Sequence, residues 1–84
     1  MKRADVAQED EDMLFIDDCD AALIGRGERC GQVPVAVYSY RKLVRCFMRM
    51  GMDEEEAEEW ISFNIAGAWV GPHTPVILYR PTPQ

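Results

Sequence analysis

The chain has a single histidine, and its three cysteines (Cys19, Cys30 and Cys46) include no closely spaced pair. A structural zinc site normally needs at least one C-x₂₋₄-C pair, so Cys19, Cys30, Cys46 and His73 make a poor ligand set, and no metal or other cofactor is expected. The Asp17-Asp18-Cys19-Asp20 cluster lacks the spacing and later glutamate of an EF-hand loop. An odd cysteine count fits reduced thiols better than a disulfide framework. No apolar run approaches the ~18 residues of a membrane-spanning helix. Met1-Lys2-Arg3 turns acidic at once, without the apolar stretch of a signal peptide, so a cytoplasmic setting is expected. Positive charge is scarce: nine Lys and Arg face fifteen Asp and Glu, for a net charge of −6. That balance disfavours direct nucleic-acid binding and anionic membranes, and admits a partner with a basic surface.

The charge that is present is segregated. From Ala4 to Glu28 the chain is acidic, with Arg26 the sole cation. From Arg29 to Met50 it carries no acid, only Arg29, Arg41, Lys42, Arg45 and Arg49. Asp53, Glu54, Glu55, Glu56, Glu58 and Glu59 follow within seven positions. Segregation of this kind makes a small molecule electrically lopsided and points to surface recognition. With 84 residues there is room for one domain, and a hydrophobic share of 48% argues against disorder throughout.

Few bulky apolar groups occur before residue 12, so residues 1–11 are expected to be a disordered acidic tail ahead of a single domain spanning 12–80. Met13 to Ile16 reads as a short strand or a turn anchor. Asp17 to Asp20 can cap a single helical turn at Ala21 to Ile24, and Gly25, Gly27 and Gly31 mark a loop. Val33 to Tyr38 is β-branched and apolar, the signature of a strand, with Pro34 near its start. Ser39 then caps a helix in which Tyr40, Leu43, Cys46, Phe47 and Met50 share one face, Arg41, Arg45 and Arg49 the other, with Gly51 after its end. Asp53 caps a second helix with three glutamates in its first turn, where the helix dipole favours them. Its apolar stripe runs through Ala57, Trp60, Ile61, Asn64, Ile65 and Ala68, which predicts a buried amide at Asn64. Val76 to Tyr79 is a last strand, its direction relative to Val35–Tyr38 left open. The expected fold class is α+β: a single small domain of two helices packed on a two- or three-stranded sheet.

Several chemistries can be weighed. A helix-turn-helix would present Glu54, Glu55, Glu58, Glu59 and Ser62 to DNA, and those carboxylates repel phosphate. Gly25 to Gly31 does not match a P-loop. Cys30 beside Arg29, with His73, supplies a nucleophile and a base, the minimum for a cysteine-dependent enzyme; a loop thiol and one histidine occur together in many chains without it. No catalytic residue is therefore assigned, and the chain is expected not to be an enzyme. Phe63 and Trp69 fall outside or beyond the apolar stripe, and aromatics so placed are interface anchors. The expected partner-binding residues are Glu54, Glu55, Glu58, Glu59, Phe63 and Trp69, with Arg41, Arg45 and Arg49 as a second surface. An alternative is a self-associating module, possible as a homodimer, in which the arginine ridge of one copy meets the glutamates of another.

The segments Arg29-Cys30-Gly31-Gln32, Pro34-Val35-Ala36-Val37-Tyr38-Ser39-Tyr40 and Phe63-Asn64-Ile65-Ala66-Gly67-Ala68-Trp69-Val70-Gly71, with Thr74-Pro75, resemble a family of small uncharacterised proteins of bacteriophages and prophages. The likeness covers residues 13–79. It implies a phage accessory protein acting inside a bacterial host cell. By analogy with small acidic phage proteins, including anti-CRISPR proteins, it implies inhibition or modulation of a host or defence protein, and it assigns no residue.

Overall fold

The computed structural model describes residues 1–81. Three helices and a three-stranded mixed sheet make a small α+β domain. The elements are α1 (Arg3–Ala7), a 3₁₀ turn (Asp20–Ala22), β1 (Leu23–Gly27), β2 (Val35–Ser39), α2 (Tyr40–Arg49), α3 (Glu54–Ile61), a wider π-type turn (Ser62–Ala66) and β3 (Val76–Leu78). β2 is central. β1 pairs with it antiparallel, from Leu23↔Tyr38 to Gly27↔Val35 with an irregularity at Ile24. β3 pairs with it parallel, from Val37↔Val76 to Ser39↔Leu78. The parallel direction follows from the connection: α2 and α3 carry the chain back to the end where β2 began.

Local sequence accounts for the helix termini. The Ser39 side chain accepts a hydrogen bond from the Lys42 N–H, which starts α2. Gly51 takes φ +110° just past its end, a conformation that a Cβ would disfavour. At α3, the Asp53 carboxylate accepts from the Glu56 N–H at 2.8 Å while Glu56 accepts from the Asp53 N–H at 3.1 Å. This reciprocal capping box satisfies two donors that a helix start otherwise leaves open.

Alternation along β2 divides the sheet into two unlike faces. Ala36 and Tyr38 are buried, while Val35, Val37 and Ser39 are only half-covered. On the buried side Leu23, Tyr38, Leu43, Cys19 and Ile61 form the fully enclosed centre of the core. The Tyr38 hydroxyl accepts the Ile16 N–H at 2.9 Å, and the Cys46 thiol donates to the Asp18 carbonyl at 3.1 Å, so these buried polar atoms are paired. α2 packs on the sheet side and on the 3₁₀ turn, and α3 packs mainly against α2.

Four expectations change. The residue 1–11 segment is not a disordered tail throughout: it contains α1, whose Val6 is 2% exposed within the core. Arg3 reaches Asp20 at 2.7 Å and the Ile16 carbonyl at 3.2 Å, and the Arg26 guanidinium donates to the Val6 and Ala7 carbonyls. These partners lie far along the chain, which is why local composition gave no sign of them. The glycine-bearing stretch at Gly25 and Gly27, together with Leu23 and Ile24 of the expected helical turn, is a strand because its backbone pairs with β2, and only Asp20–Ala22 form a turn, of 3₁₀ type. Asn64 is exposed, not a buried amide; it donates to the Trp60 carbonyl at 3.2 Å, where the helix widens. Trp60 is 45% exposed and only leans on the core through Phe47, with ring centroids 6.3 Å apart.

Candidate functional site

The glutamates of α3 separate onto two flanks. Glu56, Glu59, Trp60 and Phe63 follow i, i+3, i+4, i+7 spacing, which places them along one line of the helix. With Met52 and Asn64 they line a surface cavity of about 420 Å³. Phe63 is 79% exposed, so its ring is held out to solvent rather than folded inward. Trp60 lines the same cavity and meets Phe47 of the core, ring centroids 6.3 Å apart. The two carboxylates lie at the edge of this aromatic surface.

Glu54 and Glu58 face the other way. They line a groove with Tyr40, Arg41, Val44, Arg45 and Met48, so within one molecule they stand opposite part of the arginine ridge. Burial first, then the Glu58 carboxylate, pushes the Tyr40 phenol above its usual 10. Tyr40 is also stacked on Tyr79 at 4.6 Å. Glu55 and Arg49 are exposed and line neither cavity.

The helical run changes pitch after Ile61. The Gly67 N–H bonds to the Ser62 carbonyl at 3.1 Å, five residues back, and the wider turn carries Phe63. A Cβ on Gly67 would stand 3.0 Å from that same carbonyl, a tight contact that glycine avoids. Such π-type turns recur at functional sites in helices.

Trp69 does not join Phe63. It lines a separate groove of about 300 Å³ on the open face of the sheet, with Val33, Val35, Val37, Pro72 and Val76. Gly27 keeps this groove open: a Cβ there would stand 3.0 Å from Val37 Cγ2 and 3.7 Å from Val35 Cγ2. Trp69 is 76% exposed, and Val70, Val76 and Leu78 are exposed as well. Ser39 continues the same strand face into a cleft lined by Ile24, Arg41, Lys42, Arg45 and Arg80.

The two aromatics expected to anchor a partner therefore sit on different surfaces. Glu56, Trp60 and Met52 were not among the expected binding residues. Glu56 read as a first-turn acid favoured by the helix dipole and Trp60 as part of the apolar stripe; the i, i+3, i+4, i+7 spacing of Glu56, Glu59, Trp60 and Phe63 was the available signal.

The remaining candidates are apart from these surfaces. Cys30 is exposed, whereas Cys19 and Cys46 are buried. Burial, then the neighbouring Cys46, pushes the Cys19 thiol up to about 12, which keeps it protonated. His73 Nδ1 is buried without a hydrogen-bond partner among the described residues. Among those residues no cluster of His, Cys, Asp or Glu has the makings of a metal site, and no helix is long and apolar enough to cross a membrane. No family model, no curated protein and no solved structure matches the chain.

Proposed function

We propose that this chain is a non-enzymatic binding protein of phage type that inhibits or modulates a host or defence protein, as anti-CRISPR proteins do, by docking the α3 flank on a basic surface. One observation carries the reading: Phe63 is held 79% exposed beside Trp60, with Glu56 and Glu59 at the rim. Binding energy at interfaces concentrates in such aromatic anchors, while rim charges steer the approach. Glu55 lies on the same outward side and adds to the field. The phage origin rests on the sequence resemblance alone.

The test is capture from lysate of a phage-susceptible bacterium, with the partner identified by mass spectrometry and the association rate then measured against ionic strength. Steering predicts a rate that falls as salt rises, and a further fall for Glu56→Lys with Glu59→Lys. Phe63→Ala should weaken binding roughly 30-fold or more, the size of a hot-spot residue. A salt-independent rate together with an unaffected Phe63→Ala variant would overturn the reading.

A further inference from the structure

The open sheet face and the α3 flank are complementary to each other, and both lie on every copy of the chain. The sheet face offers an apolar groove floored by Val35, Val37 and Val76 and walled by Trp69. Glu28 and Arg29 lie at one end of this face; the Glu28 carboxylate is paired with Arg26 at 3.0 Å, which leaves Arg29 as the net charge there. At the other, Ser39 leads into the cleft that Lys42, Arg45 and Arg80 line. The α3 flank offers Phe63 and Trp60, bordered by Glu56 and Glu59. One surface is apolar with a basic border, the other aromatic with an acidic border.

We infer that the open sheet face is a docking site for a second copy of this chain, whose Phe63 enters the Trp69 groove head to tail. Charge selects this occupant. The net charge of −6 opposes random approach of two copies, but the pairing of basic border with acidic border is attractive. Size agrees with a reversible contact. Trp69 and Phe63, each about three-quarters exposed, would remove about 110–190 Å² apiece from water. The valines on one side, with Met52 and Trp60 on the other, add to this, which places the contact among transient interfaces rather than obligate ones.

The contact joins two different patches, so it is heterologous: each bound copy still has one free groove or one free flank. It also covers the flank assigned above to the partner. Self-association therefore masks the docking site at high protein concentration, and dilution exposes it. The inference does not depend on a host partner, because it is read from the purified chain alone.

Sedimentation velocity tests it with the wild type and two variants, Phe63→Arg and Trp69→Glu. Both side chains are mostly solvated, and melting curves confirm that the variants fold. Wild-type mass should rise above 9.6 kDa with concentration at low salt, and the rise should shrink as salt is added. Each variant alone should stay monomeric, since each has lost one of the two surfaces. An equimolar mixture should form a heterodimer of twice the monomer mass, joining the intact groove of Phe63→Arg to the intact flank of Trp69→Glu. A wild type that stays monomeric at every concentration, variants that associate as the wild type does, or a mixture that forms no heterodimer would each overturn the inference. Trp69→Glu retains Phe63, so host-partner capture by that variant distinguishes failure of self-association from failure of the partner-docking reading.

Discussion

Ile61 and Phe63 stand two positions apart on one helical run, and truncating each to alanine should give opposite results. Ile61 is 0% exposed, so Ile61→Ala removes a fully buried side chain and leaves a cavity, which costs about 2–5 kcal/mol. Total stability of an 84-residue domain is of order 4–13 kcal/mol, so this is a large fraction of it. At 4–8 °C per kcal/mol, a loss of about 3 kcal/mol lowers Tm by roughly 12–24 °C. Phe63 has only about one-fifth of its surface covered. Full burial of such a side chain stabilises by about 1.5–3 kcal/mol, so its covered share is worth about 0.3–0.6 kcal/mol. The better helix propensity of alanine offsets most of that. Phe63→Ala should therefore leave Tm within about 3 °C of the wild type. Urea unfolding followed by circular dichroism measures both variants, with unchanged m-values showing that the unfolding reaction is the same. A loss above about 1.5 kcal/mol for Phe63→Ala would mean that the ring is packed within its own molecule, and the argument for a docking aromatic would fall with it.

Other outcomes follow from the same physics. Val6→Ala should cost about 1.5–3 kcal/mol by denaturant titration, because α1 holds its valine in the core; no measurable change would return residues 1–11 to a loose tail. Asp53→Ala breaks the capping box and should cost about 0.5–2 kcal/mol, whereas Asp53→Asn should cost less. With iodoacetamide near neutral pH, Cys30 should be modified first, and Cys19 and Cys46 only at the rate of unfolding; mass spectrometry reads the order. The folded Cys19 thiol titrates near 12 against 9.0 unfolded, so its contribution is fully present below about pH 9 and declines as pH rises toward 12. Thermal melts between about pH 8 and about pH 10.5 should show falling Tm, with a smaller fall in Cys19→Ala.

Much of the fold is legible locally. The Ser39 and Asp53 caps rest on side chains that accept from backbone N–H groups three residues on, the Gly51 stop on the lack of a Cβ at φ +110°, and the strand through Val35–Tyr38 on a β-branched apolar run; sequence displays each of these directly. The line from Glu56 to Phe63 was legible too, since helical spacing alone aligns it. Reading Trp60 as core hid it, because periodicity assigns an apolar residue to a stripe but does not say how far the neighbouring helix reaches over that stripe.

Residue order by itself determined the charge blocks, the caps and the two principal helices, because these depend on residues at most a turn apart. Tertiary structure alone decided that α1 is anchored through Val6, Arg3 and Arg26, that Gly25 and Gly27 belong to a strand, that β3 runs parallel to β2, and that Phe63 and Trp69 lie on separate surfaces. Each of these depends on groups brought together across long stretches of chain, and such contacts exist only once the chain has closed around its core.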